Sequence, residues 1–360
     1  MNELEKETIG ESLLSKIKNP IRRDVMQIAW PVFIELLLGS LFGMVDMMML
    51  GRMKDAALAA ASVASVGITN QPLFMGLSLV QALNVGGTAM IARYYGAKQN
   101  HRMENVLKHV MILSMLFLAL PLSILGIIFT KQIMGFMGAK PDAIEAGYMY
   151  FKIIMIGFIF QSLIMSLSAA LRGVGETKVP MAINIRSNFI NVIGNAVLIY
   201  GLFGFPELGV TGAAISTSFS NMVAAVSLLY YVAKGKSVVK LNIKKPFRFN
   251  KYTIRNLIRI GVPASLEQLV LRLGNFFFIR VIASLGTVIY ASHQIAMNIL
   301  ALSYKPGQAF GISAASLVGK SLGASQLKDA EEYAKENRRI GSIIASIMGL
   351  VFFFLGPQLV

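Results

Sequence analysis

Long apolar stretches alternate with short polar breaks along nearly the whole chain. Most of them approach or exceed the roughly 20 residues that an α-helix needs to cross about 30 Å of hydrocarbon. The pattern therefore predicts an all-α integral membrane protein with nine membrane-spanning helices. Their expected ranges are 24–51, 58–83, 105–130, 143–170, 178–202, 208–233, 254–284, 287–315 and 338–357.

The chain also repeats itself. The stretch IAWPVFIELLL resembles IGVPASLEQLV, and this match pairs Pro31 with Pro263 and Glu35 with Glu267 at a common offset of 232. Further on, IARYYGAKQ at 91–99 resembles VGKSLGASQ at 318–326, an offset of 227. Six spans precede the repeat, and six is an even number, so both copies enter the membrane from the same side as a parallel repeat.

This repeat divides the chain into two lobes. We expect an N-terminal segment at 1–23, a first lobe of six helices at 24–233, a linker at 234–253 and a partial second lobe of three helices at 254–360. By the logic of the repeat, three more helices are expected to complete the second lobe, and transport is expected to fail without them.

Composition and charge support a membrane location. Hydrophobic residues make up 55% of the chain and charged residues 14%, and the mean hydropathy is +0.62. The net charge of +16 does not indicate nucleic acid, because 25 of the 34 basic residues lie between alternate spans, on one predicted side, and four lie on the other. The positive-inside rule then places the N-terminus in the cytoplasm. We expect a multi-pass protein of a bacterial or archaeal plasma membrane. The absence of cysteine excludes disulfides and thiolate sites.

Three acids lie well inside predicted spans: Glu35, Asp46 and Glu267. A carboxylate near the bilayer centre costs several kcal/mol or more unless it is paired, solvated or protonated, so each needs a reason to be there. Asp46, in LFGMVDMMMLG, is suited to exchange a proton or a small cation for substrate. A stripe of amides on one face of the fifth span could supply oxygen ligands for sodium or relay a proton. The stripe comprises Asn184, Asn188, Asn191 and Asn195.

Structural roles are the alternative for these residues, since polar side chains commonly hold membrane helices together. The pairing of Glu35 with Glu267 in the repeat suggests a contact between lobes or a gate. Arg272 follows Glu267 closely enough for a salt bridge. Lys305 and Arg186 are candidates to line a cavity, where they would favour anionic or zwitterionic substrates, and Gln71 is expected to face the same space.

Several short motifs, in order, resemble the multidrug and toxic compound extrusion (MATE) transporters, and within them the DinF-like branch. They are the WP at Pro31, VDMMMLG around Asp46, LRGVGETKVPM, ELGVTGAAIST and ASHQIAMNI. The resemblance implies two six-helix lobes around a central cavity. It also implies efflux of drug-like small molecules by a monomer, driven by proton or sodium entry, with no other cofactor and no enzymatic activity.

The same resemblance assigns site residues. Asn191 and Asn195 match family positions that face the first-helix acid, and Thr217 matches a hydroxyl of that pocket. Where some members carry a coupling acid deeper in the seventh helix, this chain has Leu271 or Arg272. The resemblance therefore places cation coupling in the first lobe.

The same residues leave other functions open. A flippase for lipid-linked saccharides would share the fold and could use a basic cavity formed by Arg186, Arg272 and Lys305. An intramembrane glycosyltransferase would need an acid-rich loop, whereas the loops opposite the basic side are short and nearly uncharged. A retinal-type receptor with Lys305 as Schiff base fits the six-span repeat poorly.

Overall fold

The computed structural model describes residues 19–139, 141–242, 247, 249–284 and 287–359, and these are almost entirely helical. The helices are α1 (Pro20–Gly51), α2 (Ala56–Gly96), α3 (Asn100–Ile128), α4 (Thr130–Phe136), α5 (Pro141–Gly173), α6 (Lys178–Tyr200), α7 (Gly209–Ala233), α8 (Lys251–Ser284), α9 (Thr287–Gly323) and α10 (Leu327–Leu359). The all-α fold class is confirmed.

Each predicted span coincides largely with one helix, but the boundaries differ. α2 was expected to end at residue 83 and continues to Gly96. Hydropathy falls where a helix leaves the hydrocarbon, whereas the hydrogen bonds of the helix continue until the backbone turns. Here the backbone turns at Lys98, which has a positive φ of 56°. The short helix α4 was not predicted. Most of the N-terminal segment (1–18) and linker residues 243–246 and 248 lie outside the described residues.

Within the described residues, six helices are long and apolar enough to cross a membrane, namely α1, α2, α3, α5, α7 and α10. α6, α8 and α9 are also long, with 23, 34 and 37 residues. In α3, Leu113–Ala119 forms a π-helical segment, and Ser162 of α5 donates a hydrogen bond to the Ser114 carbonyl there at 3.2 Å. A neighbouring helix therefore satisfies a carbonyl where the helical pattern is irregular.

The long helices alternate in direction, which gives the bundle two ends. We call the basic end the one that holds the start of α1, the end of α2 and the loop between α9 and α10, and the other the opposite end. α5 packs between α2 and α7, and α6 packs between α1 and α7. From the second repeat, α8 packs on α2, α9 packs on both α1 and α2, and α10 packs on α9.

Glycines bring α2 and α9 together at the basic end. A Cβ atom on Gly96 would overlap the carbonyl oxygen of Lys320, and one on Gly323 would overlap that of Arg93. These contacts are reciprocal, because Gly96 pairs with Gly323 and Arg93 with Lys320 at the repeat offset of 227. Small residues allow membrane helices to approach this closely. The two copies of the motif therefore form a pseudo-symmetric helix crossing.

Polar contacts between α1 and α10 add to this crossing. Arg22 Nε donates to Glu336 Oε1 at 2.7 Å, and the Tyr333 hydroxyl donates to Asp24 Oδ2 at 2.7 Å. We call these two contacts the α1–α10 latch. Since residues of both repeats take part, the latch and the glycine crossing hold the two repeats together at the basic end.

The segment after α7 is tied to the first repeat. Ser237 Oγ and the Val238 N–H donate to Glu176 Oε1 at 3.1 and 2.9 Å. Before α8, the Asn250 N–H donates to Nε2 of the fully buried His109 at 2.8 Å. The two ends of the linker are thus anchored where α5, α6 and α3 reach the basic end.

Replacing either crossing glycine by alanine is expected to destabilise the protein. Gly96→Ala or Gly323→Ala forces a methyl group against a carbonyl, and such overpacking costs about 1–3 kcal/mol. Gly43→Ala is the matched control, because a Cβ there meets nothing within 4 Å. Thermal unfolding in detergent, followed by circular dichroism, should show a lower Tm for the first two variants only. Equal Tm values for all three would contradict the crossing.

Candidate functional site

Asp46 lies on α1 and faces α6 and α7. Asn195 of α6 donates from Nδ2 to Asp46 Oδ1 at 2.7 Å. Asn195 is fully buried, and its own oxygen Oδ1 has no hydrogen-bond donor among the described residues. The carboxylate is therefore held by a neutral amide, and an unused amide oxygen lies nearby.

Asn191 completes this cluster one helical turn away. Its amide is oriented with Nδ2 toward Asp46, at 3.0 and 3.1 Å from the two carboxylate oxygens, because the reverse orientation would set two acceptors against each other. The Asn191 side-chain oxygen then accepts from the Thr217 N–H at 3.2 Å and from its hydroxyl at 3.1 Å. The structure thus brings together the four residues that the sequence analysis grouped as a coupling site.

A second acid site lies deeper toward the basic end. Glu35 Oε1 accepts from Arg172 Nη2 at 2.8 Å and from Asn184 Nδ2 at 2.6 Å. Both charged side chains are largely buried, with exposed fractions of 9% for Glu35 and 16% for Arg172. Both partners of Glu35 belong to the first repeat, so the contact between lobes that the repeat suggested is not formed among the described residues.

The two acid sites share one spacing. The interval from Glu35 to Asp46 on α1 equals the interval from Asn184 to Asn195, their amide partners on α6. Since this interval is about three helical turns, both pairs lie on facing surfaces of two helices that run in the same direction. Between them, the rings of Phe42 and Phe189 meet edge to face at 5.2 Å. The register of α1 against α6 is fixed at two points.

The remaining predicted residues do not join these clusters. Asn188 is half-buried and Gln71 exposed, and neither makes a side-chain hydrogen bond within the described part of the chain. Glu267 is exposed, and its expected salt bridge with Arg272 is not formed. The Arg272 guanidinium instead lies 5.7 Å from the ring centroid of Phe74 on α2. Lys305 is half-buried on α9.

Arg172 was not among the predicted site residues. The expected span 143–170 left it in a loop, whereas α5 continues to Gly173 and carries Arg172 on its last turn. The sequence did offer one indication of its role, because a buried Glu35 needs a positively charged partner. Arg172 keeps one unsatisfied nitrogen, Nε, and Glu35 one unsatisfied oxygen, Oε2, among the described residues.

Comparison with known proteins agrees with this architecture. The MatE family model matches residues 31–197 and 263–360, two segments that begin at the prolines paired by the repeat. The chain is 32% identical over 309 residues to "Uncharacterized transporter YisQ" of Bacillus subtilis, covering 86% of this chain and 66% of that protein. It is 29% identical over 343 residues to "Probable multidrug resistance protein NorM" of Thermotoga maritima, covering 94% and 72%.

Solved structures show the same fold. A MOP superfamily transporter from Pyrococcus furiosus, reported as having a binding pocket of reverse polarity that suggests a different function, superposes with a TM-score of 0.84 at 24% identity. The match covers 96% of this chain and 75% of that one. The chain thus spans about two thirds to three quarters of the length of these relatives. Because the family model covers most of the sequence, the chain belongs to the MatE family of membrane transporters.

Proposed function

We propose that the protein exports small amphipathic compounds in exchange for an entering proton or sodium ion. The observation that carries this proposal is the Asp46 cluster: a carboxylate inside a spanning helix whose described partners are neutral amides. The printed name of the Thermotoga maritima relative, a probable multidrug resistance protein, supports drug-like compounds as the substrate class.

The cluster offers a chemical route to coupling. A proton or sodium ion at Asp46 removes the negative charge that the amide nitrogens of Asn191 and Asn195 now face. A protonated carboxyl needs an acceptor and sodium needs oxygen ligands, so either event favours rotation of these amides to present oxygen. Cation binding would then exchange one hydrogen-bond arrangement between α1 and α6 for another.

Alternating access requires the two repeats to separate at one end. We propose that the basic end faces the cytoplasm and that the α1–α10 latch and the glycine crossing close it in this conformation. Rearrangement of α1 reaches the latch directly, because α1 carries Asp46, Arg22 and Asp24. Binding of a cation at Asp46 therefore shifts the latch between its closed and open states through a single helix. The compound that is exported in exchange for this cation is amphipathic.

Asp46→Asn is expected to abolish gradient-driven efflux. The substitution keeps a hydrogen-bonding side chain of similar size and removes the charge that a cation would neutralise. Ethidium efflux from proteoliposomes under an imposed pH or sodium gradient measures this, with a form of the protein that includes the three further helices expected to complete the second lobe. The gradient that drives efflux by this protein with Asp46 intact identifies the ion. If the folded wild type moves ethidium under neither gradient, the exporter proposal fails.

Glu35→Gln is the matched control for that experiment. It also removes an acid from α1, but one that is already neutralised by Arg172. We expect the variant to be less stable, because one partner of a buried ion pair is left uncompensated at a cost of about 3–5 kcal/mol. Its remaining efflux should still depend on the same gradient. Loss of gradient dependence in Glu35→Gln alone would move the coupling role from Asp46 to Glu35.

Weakening the latch is expected to expose residues behind it. The chain has no cysteine, so Ser316→Cys gives a single reporter at a position that is 2% exposed near the basic end. Adding Arg22→Gln and Glu336→Gln should increase the rate at which a water-soluble maleimide labels it. A cysteine at the exposed Gln326 should react equally with and without the latch substitutions. An unchanged rate at position 316 would show that the latch does not control opening.

A further inference from the structure

A cavity of about 800 Å³ lies at the opposite end, between the end of α3, the short helix α4 and the first turns of α5. Its size falls within the range of about 300–1,000 Å³ that is typical of small-molecule sites. Polar and apolar side chains line it. They include Ile127, Ile128, Lys131, Glu145, Tyr148 and Lys152.

Two ammonium groups converge in this cavity on one aromatic ring. Lys131 Nζ lies 5.4 Å and Lys152 Nζ 5.6 Å from the ring centroid of Tyr148. Glu145 lines the same cavity, yet neither lysine forms an ion pair with a carboxylate within the part of the chain that the structure describes. With one acid and two bases, the cavity carries a net positive charge.

The cavity lies beside an exposed, apolar outer surface of the first repeat. From Leu120 to Ile128, α3 packs mainly on α5, and also on α4 and on its own π-helical segment. Large apolar side chains are exposed along this outer surface. They are Leu120, Ile124, Leu125, Ile128, Phe129 and Phe136. A surface this apolar next to a spanning helix is covered by acyl chains.

Lys152 can place its ammonium group at the level of the lipid headgroups. It lies about 16 Å along α5 from the start of that helix. α5 has 33 residues and is about 50 Å long, whereas the hydrocarbon is about 30 Å thick, so its first turns extend beyond the hydrocarbon. A lysine near that boundary extends its ammonium toward the interface. The ammonium groups of Lys131 and Lys152, which have no carboxylate partner among the described residues, can together bind a phosphate.

We propose that this cavity binds an anionic phospholipid of the adjacent leaflet. The lipid phosphate lies between the ammonium groups of Lys131 and Lys152, and the acyl chains run along Ile127, Ile128 and the exposed face of α3. Electrostatic complementarity selects an anionic headgroup over a zwitterionic one, because the net charge of the cavity is positive. The site is separate from the Asp46 cluster and does not depend on the proposed transport cycle.

Native mass spectrometry of the purified protein, titrated with phosphatidylglycerol or phosphatidylcholine, tests this proposal. Wild type is expected to retain phosphatidylglycerol preferentially. Lys131→Gln combined with Lys152→Gln should weaken that binding by about tenfold or more, since each basic residue near an anionic headgroup contributes substantially. Phosphatidylcholine binding should change little.

Two double variants serve as controls. Arg52→Gln with Lys54→Gln removes the same charge from the same end of the bundle, away from the cavity, and should leave phosphatidylglycerol binding unchanged. Lys131→Arg with Lys152→Arg keeps the charge and should retain binding, which separates loss of the site from loss of folding. Equal affinity of wild type for both lipids, or equal loss of binding in the Arg52 and Lys54 control, would overturn the proposal.

Discussion

A carboxylate inside a membrane-spanning helix has to be matched by groups on neighbouring helices, and this constraint fixes the first repeat. α1 carries two such acids, and α6 presents an amide to each at the same separation along the helix. A shift of α1 by one residue along α6 would break both hydrogen bonds at once and leave buried polar groups without partners, which is costly in lipid. The two pairs therefore determine how α1 lies against the bundle.

The second repeat is attached differently. α8, α9 and α10 pack on α1 and α2 through close glycine contacts at the basic end, a small buried apolar cluster of α1 and α9, and polar contacts such as Arg22 with Glu336. In lipid there is little hydrophobic force between helices, so close backbone approach and interhelical hydrogen bonds hold such a seam. Because the apolar cluster at this seam is small beside the two clusters inside the first repeat, separation would expose little apolar core. A firmly registered repeat joined by such a seam suits the lobe motions that alternating access requires.

Much of this arrangement was predictable from the sequence. Hydropathy located the helices, and the 3.6-residue period placed the asparagines of α6 on the face that meets Asp46. The reciprocal contacts of Gly96 and Gly323 follow the repeat offset. Other features depended on the folded structure. Arg172 was assigned to a loop because hydropathy does not register the last, polar turn of α5. The expected bridge between Glu267 and Arg272 fails because residues five apart are about 140° apart around a helix.

The two acids of α1 also differ in what holds them, and this difference decides which is suited to ion exchange. Glu35 has a guanidinium within 2.8 Å, so an entering cation would have to displace a charge already in place. The described partners of Asp46 are amides, and beside it the Asn195 oxygen accepts no hydrogen bond from any residue that the structure describes. A cation that enters at Asp46 therefore meets a carboxylate without a positively charged partner among its described contacts, together with the available amide oxygen of Asn195. The same helix thus carries one acid that is suited to hold structure and one that is suited to change its state.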